Sequence, residues 1–240
     1  MSALFVIPAR GGSKGLPGKN IKNIAGKPLL QWSAESAILA AEKIGNSKVI
    51  LSTDDPEIAN LGIKFGLEVP FLRPSELATD QASSIDVILH ALRYYEETGF
   101  YPEYVFMIEP TSPQRDAEDL VNAYEYLLSK ENDGAESLVG VCKTESGHPF
   151  FLTHLEDGFL NPYSNKEFRV FRRQEINDVY FFEGSMYLSK SSSLKARKSF
   201  YHEKTLGFEM PKWKSLEIDD NIDFIMIERL LLAREEGLIK

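Results

Sequence analysis

The chain has 240 residues, 27 basic and 36 acidic, for a formal net charge of −9. That length fits roughly one or two domains, and 43% apolar with 26% charged residues excludes a disordered, collagenous or disulfide-scaffold protein. The acidic excess disfavours a nucleic-acid binder or a protein of anionic membrane surfaces.

Cys142 has no second cysteine to pair with, which fits a reducing compartment. The stretch Met1–Pro8 lacks the basic n-region of a secretory signal. No apolar run reaches the ~20 residues of a membrane span. A cytoplasmic protein without membrane or nucleic-acid partners is expected.

Ala3–Pro8 reads as a buried strand and Pro28–Lys43 as a helix. Lys48–Ser52 is a strand, Pro56–Phe65 a helix with proline in its first turn, and Glu68–Phe71 a short strand. Ser84–Thr98 is helical, with Ile85, Ile88, Leu89 and Leu92 on one face. Tyr104–Ile108 is a strand, Asp116–Ser129 a helix and Ser137–Val141 a strand. This alternation predicts an α/β fold with a mainly parallel sheet covered on both faces.

Between about Glu145 and Asp178 the alternation stops. The stretch carries Phe150, Phe151, Phe159, Tyr163, Phe168 and Phe171 with little helical period. It is either an arm covered by a partner subunit or a long hairpin packed on its own domain. Gly184–Ser189 and Ser215–Ile218 return to strand character, and Asn221–Glu236 closes the chain as a helix.

Residues 1–34 hold five bases, Arg10, Lys14, Lys19, Lys22 and Lys27, and no acid. The run from Pro8 to Asn20 follows the first strand on the edge where open α/β sheets bind ligands. Its glycines let backbone amides approach an anion, and its cations neutralise phosphate. Neither G-x-x-x-x-G-K-[ST] nor G-x-G-x-x-G is present in this loop, so it is neither a Walker loop nor a dinucleotide fingerprint. A solvated basic turn would share the composition but has no reason to occupy that edge.

Near the C-terminus, Ser215-Leu-Glu217-Ile-Asp219-Asp220 would present Glu217 and Asp219 from one face if it is a strand, a plausible anchor for Mg²⁺. An acidic run before a helix is also an N-cap signal, a task open to Asp220 or Asn221. Asp54 could likewise cap the helix after the second strand. The four histidines are scattered without metal-ligand spacing.

The segments Ile7-Pro-Ala-Arg-Gly-Gly-Ser-Lys-Gly-Leu-Pro-Gly-Lys-Asn-Ile21 and Gly26-Lys-Pro-Leu29 closely resemble the opening of the CMP-sialic acid synthetases, the N-acylneuraminate and legionaminate-type cytidylyltransferases. The same order of motifs continues through Ser52-Thr-Asp54, Arg73-Pro-Ser-Glu-Leu-Ala-Thr-Asp80 with Ser83-Ser84, Pro110-Thr-Ser-Pro113, Arg172-Arg-Gln174, Gly184 with Tyr187, and Ile218-Asp219. The resemblance spans most of residues 3–236. It implies a three-layer, Rossmann-like nucleotidyltransferase domain over residues 1–240, with an insertion at about 145–178 that makes a homodimer.

The implied reaction transfers CMP from CTP to the anomeric 2-hydroxyl of a nine-carbon 2-keto sugar acid and releases pyrophosphate. By resemblance, Arg10 and Lys19 hold the phosphates, Ser13 and Lys14 assist, and Asn20 reaches the ribose or triphosphate. Arg73, with backbone at Ala82 and Met107, would read cytosine beside Ser84. Asp219 would hold Mg²⁺ or Mn²⁺, and Glu217, where the family has Asp, would help activate the hydroxyl. Glu109, Thr111 and Ser112 would face the sugar, and Arg173 its carboxylate. Arg173 could serve its own site or the partner's.

Three departures predict a sugar other than plain N-acetylneuraminate. Glu109 stands for Gln and Glu183 for the Asn of Asn-Gly, and the lysine expected after His148-Pro is missing. Kdo cytidylyltransferases share the chemistry, but their loop carries a second Arg where this chain has Gly15. A nucleotide-sugar pyrophosphorylase would instead take a sugar phosphate. A catalytically dead nucleotide-binding regulator is disfavoured by the retained Arg10, Lys19 and Asp219.

Overall fold

The computed structural model describes residues 1–12, 15–144, 147–164 and 176–239. Strand β1 (Ala3–Pro8) pairs in parallel with β4 (Ser47–Ser52) on one side and β5 (Tyr104–Met107) on the other. β9 (Tyr180–Lys190) runs antiparallel between β5 and β6 (Ser137–Lys143), and β10 (Thr205–Glu209) completes the sheet parallel to β6. Among the described residues the order is β10-β6-β9-β5-β1-β4. The sheet is thus mainly parallel, as the alternation predicts, with one strand reversed. That reversal matters: the first half of β9 starts from the same edge at which β1, β4 and β5 end.

β1 shows why both faces are covered. Ala3, Phe5 and Ile7 point into a core shared with α1 (Leu29–Ile44) and α4 (Ala117–Ser129). Leu4 and Val6, on the other face, join the core under α3 (Ser84–Glu97) and α5 (Ser191–Arg197). Every residue of β1 up to Ile7 is fully buried, so the alternation sorts side chains between two cores rather than between core and water. A third cluster joins α6 (Asn221–Glu235) to the basic loop through Leu16, Ile24, Ile218, Phe224 and Ile227. Here the C-terminal helix delivers the acidic segment to the N-terminal loop.

Three sequence expectations need correction. Ser215–Ile218 is not a strand; a 3₁₀ turn at Lys212–Lys214 leads into extended chain held by single contacts. Glu68–Phe71 makes only one bridge, Ile50 to Glu68. The cap of α2 (Pro56–Lys64) is Asp55, whose carboxylate accepts from the amides of Glu57 at 2.7 Å and Ile58 at 3.3 Å, and not Asp54. Both short pieces are fixed by isolated backbone hydrogen bonds, Glu68 with Val49 and Leu51 and Ile218 with Thr111, rather than by a ladder, and local pattern carries no signal of that. Asp220 caps α6 in a reciprocal box with Asp223, and Ser83 caps α3.

Within the 145–178 region, β7 (Thr153–Glu156) and β8 (Phe159–Pro162) form a separate antiparallel hairpin. Leu155 and Phe159 are 72% and 76% exposed, so among the described residues the hairpin is not packed on its own domain. A second hairpin, β2 (Asn23–Ile24) with β3 (Lys27–Pro28), links the basic loop to α1.

Candidate active site

The ends of β1, β4 and β5, with the segments around Arg73–Ser84 and Glu217–Asp219, enclose a cleft of ≈ 480 Å³. Arg10, Lys19, Asn20, Arg73, Ala82, Ser84, Glu109, Thr111, Glu217 and Asp219 all line it. The structure therefore brings these sequence-predicted residues together at one place. Ser13, Lys14 and Arg173 lie outside the described residues. Met107 and Ser112 are buried behind the wall rather than on it.

At the first end the chain leaves β1 and turns back over the sheet. The amide of Gly11 donates to Asp54 Oδ1 at 3.1 Å, which gives Asp54 a role in holding the loop. Asn20 Nδ2 donates to the Arg10 carbonyl at 3.1 Å, so its side chain braces the loop as well as lining the cleft. A Cβ at Gly15 would lie 2.3 Å from the Asp219 carbonyl, so only glycine allows the basic loop to pass this close to the acidic segment. Lys19 fastens the same junction: its Nζ donates to the Ile218 carbonyl at 2.9 Å and stands 3.9 Å from Asp219 Oδ1.

Arg10 forms an ion pair with Asp80 at 2.7 Å. Asp80 sits in the segment that carries Ala82 and Ser84, so the pair spans the cleft. In the sequence Asp80 stands only as the last residue of the Arg73–Asp80 motif, with nothing to mark it as the partner of Arg10. Arg73 is 6% exposed; its Nε donates to Ser52 Oγ at 3.1 Å and its Nη2 to the Ser52 carbonyl. It is a buried wall residue, and burial lowers its pKa to about 10.

At the other end, carboxylates crowd together. Burial, reinforced by Glu217, pushes the Glu109 carboxyl up to about 7 against the pull of Arg115 and Lys19. Glu217 is raised too, chiefly by burial and next by Asp219, although the Gly184 amide donates to it. A Cβ at Gly184 would meet the Glu217 carboxylate at 2.4 Å, which gives that motif glycine a physical reason. Glu183 is raised by burial while accepting from the Ser185 amide at 2.9 Å and hydroxyl at 2.7 Å.

The counter-charge is Arg115, which sequence reasoning missed. It is 2% exposed and donates to the Ser112 carbonyl at 2.9 Å, the Glu109 carbonyl at 2.8 Å and Ser33 Oγ at 2.7 Å. Nothing about an arginine after Pro113-Gln114 marks it as buried among acids. Lys214 was missed as well; it binds Asp116 and Asp119 at 2.8 and 2.6 Å and anchors the acidic segment to the start of α4. Ile218 N donates to the Thr111 carbonyl at 2.9 Å, tying Glu217 and Asp219 to the turn that carries Glu109.

Two carboxylates, Glu217 and Asp219, face the cleft together, and no group of three or more metal-ligating side chains occurs among the described residues. This donor set fits a hard divalent cation that takes one or two carboxylates and completes its shell with phosphate and water.

Comparison with known proteins agrees with this geometry. The profile of a family described as cytidylyltransferase matches residues 4–231. A CMP-N,N'-diacetyllegionaminic acid synthase of Legionella pneumophila is 31% identical over 242 residues, covering all of both chains. An N-acylneuraminate cytidylyltransferase of Streptococcus agalactiae is 32% identical over 228 residues, 95% of this chain and 52% of that protein, so the chain spans about half of that relative. In fold, it is similar to a CMP:2-keto-3-deoxy-manno-octonic acid synthetase complexed with CTP, at a TM-score of 0.69 and 18% identity over 98% of this chain and all of that one.

Proposed function

The chain belongs to the cytidylyltransferase family and is a nucleotidyltransferase, and from that premise we propose that it transfers CMP from CTP to the anomeric hydroxyl of a nine-carbon sugar acid. The observation that carries this reading is the cleft itself, in which the basic loop and the carboxylates of Glu109, Glu217 and Asp219 face one space.

CTP lies with its phosphates on the glycine-rich loop, where Arg10 and Lys19 supply charge and Ser13 and Lys14 assist. Arg10 exchanges Asp80 for phosphate oxygen, which frees the segment carrying Ala82 and Ser84 to settle on the nucleotide. Arg73 and the backbone of that segment frame the cytosine, and the buried Met107 contributes only through β5. The sugar acid lies against Glu109 and Thr111, with Ser112 behind them and Arg173 offered to its carboxylate.

The anomeric oxygen attacks the α-phosphorus, the bond from that phosphorus to the bridging oxygen breaks, and pyrophosphate leaves. Glu217, its pKa raised by burial, accepts the hydroxyl proton and passes it to solvent. Lys19 stabilises charge on the departing pyrophosphate. Mg²⁺ or Mn²⁺, held by Asp219 and Glu217, would neutralise the phosphate oxygens. EDTA abolishes activity on this account, and either metal restores it.

The working form is a homodimer joined through the 145–178 arm; the exposed Leu155, Phe159, Tyr163 and Phe182 support this, since such a patch calls for cover. Sedimentation as a monomer at micromolar concentration would refute it. We place the protein in the cytoplasm, in keeping with its buried lone cysteine; no helix among the described residues is long and apolar enough to cross a membrane.

The test of the reaction is pyrophosphate release from CTP with a panel of neuraminic, legionaminic, pseudaminic and eight-carbon 3-deoxy sugar acids, with hexose 1-phosphates alongside. Release with at least one nine-carbon acid, and formation of the CMP-sugar, is the expected result. Release only with hexose 1-phosphates, or none with any acceptor, contradicts the proposal.

A further inference from the structure

Three glutamates converge at the acceptor end of the cleft, and they differ in what satisfies them. Glu183 has both oxygens engaged by Ser185. Glu217 takes the amide of Gly184. Glu109 is half-buried and lines the cleft, and among the described residues no hydrogen-bond donor reaches its carboxylate. Arg115 supplies charge but no bond to that carboxylate, since its guanidinium donates to the Ser112 and Glu109 carbonyls and to Ser33. Lys19 is committed to the Ile218 carbonyl. Glu109 thus presents acceptor capacity to the cleft that the described protein groups leave unused.

A carboxyl that opens on the cleft with no protein donor leaves that place to water or to a donor from the ligand. An ionised carboxylate only accepts, whereas a glutamine would offer one acceptor and one donor group. The charged groups around Glu109 are Arg115 and Lys19 against Glu217 and Asp219, with Glu183 close to Arg115. A triphosphate and the acceptor's own carboxylate add negative charge, which the metal ion and Arg173 proposed above would answer at those groups rather than at Glu109. A ligand group that both donates and carries positive charge answers the two needs at once, and such charge-assisted bonds are about twice as strong as neutral ones.

We propose that Glu109 selects an acceptor sugar acid carrying a positively charged nitrogen substituent, an ammonium or amidinium group, over the same acid with a neutral hydroxyl or N-acyl group. This inference rests on reading the cleft as a site for CTP and a sugar acid. The neighbouring carboxylates disfavour further anionic groups and so narrow the choice of acceptor from the opposite side.

The test uses matched nine-carbon sugar acids that differ only in an N-acetyl or an acetamidino group at C5 or C7. Their kcat/KM values are compared in CTP-dependent pyrophosphate release. The wild type should favour one acetamidino acid over its N-acetyl counterpart by about tenfold or more, the scale of one charge-assisted contact. Glu109→Gln should abolish or reverse that ratio. Glu183→Gln, whose side chain is already held by Ser185, should leave the ratio within about twofold. Equal use of both forms by the wild type, or a preference for N-acetyl, overturns the proposal. So does a Glu109→Gln variant that keeps the ratio, or a Glu183→Gln variant that shifts it equally. If no sugar acid of any kind supports pyrophosphate release, the underlying reading of the cleft fails instead.

Discussion

At the nucleotide end of the cleft, cations stand on a glycine-rich turn and in a neighbouring loop, and the side chains of the Arg10–Asp80 ion pair are 33% and 43% exposed. At the acceptor end, Glu109, Glu183 and Glu217 gather around an arginine with almost no exposure. The first end meets water and can exchange partners when a polyphosphate arrives. The second is fixed before any ligand comes, with its like charges balanced from inside. One cleft thus joins an adaptable electrostatic half to a rigid, desolvated half, and the same substitution chemistry has different consequences in each.

The largest effect is expected at the junction of the halves. Lys19→Ala removes both a cation assigned to the phosphates in the proposed reaction and the bond to the Ile218 carbonyl. Turnover should fall on the order of 10²–10³-fold, as when one preorganised stabilising donor is lost. Pyrophosphate release and circular dichroism together check this, and near-normal turnover in a folded variant would break the comparison at its centre.

Stability should separate the two ends more sharply than activity. Arg115→Met leaves Glu109, Glu183 and Glu217 without their buried counter-charge, a loss of about 3–5 kcal/mol. Arg10→Ala removes a solvent-screened pair and should cost only about 0–1 kcal/mol. Urea midpoints of the two variants measure the contrast; equal midpoints would show that Arg115 does not balance the acids.

A smaller effect follows from protonation. The Glu109 carboxyl is raised from 4.5 to about 7, so between those values the folded chain keeps a proton that the unfolded chain releases. The stability this gives is full below about pH 4.5 and is lost as the pH rises to about 7. Thermal midpoints of the wild type and of Glu109→Gln, compared at about pH 5 and about pH 7.5, should show a steeper decline in the wild type, because Glu183 and Glu217, also raised by burial, remain in both. An identical pH response would mean that Glu109 titrates normally.

The nucleotide end was legible in the sequence because its chemistry is local. Arg10, Lys19 and Asn20 lie in one glycine-rich run after a strand, and chain order alone places that run on the ligand edge. The strands and helices were legible for the same reason, their faces being set by residues a few positions apart. The acceptor end was legible only in part. Glu217 and Asp219 stood out as a spaced pair, but their facing comes from Ile218 bonding Thr111 and from Lys214 gripping Asp116 and Asp119, contacts across about a hundred residues and not from a strand. Arg115 gave no sign of burial, because two of the acids it balances, Glu183 of β9 and Glu217 of the C-terminal segment, are remote in sequence. The reversed β9 was equally hidden: a short apolar run carries no direction, and the long excursion before it would suit a parallel crossover as well as an antiparallel return.

The division of the cleft is tested most directly by separating CTP binding from transfer in Asp219→Asn. Asp219 lies at the acceptor-side end of the cleft and is one of the two carboxylates assigned to the metal. Calorimetry without metal should show CTP affinity within about threefold of the wild type, since the cations of the basic loop are untouched. Product formation with Mg²⁺ and a nine-carbon sugar acid should be slower by about 10²-fold or more, and added Mg²⁺ should not rescue it. An Asp219→Asn enzyme that forms CMP-sugar at the wild-type rate would contradict the account.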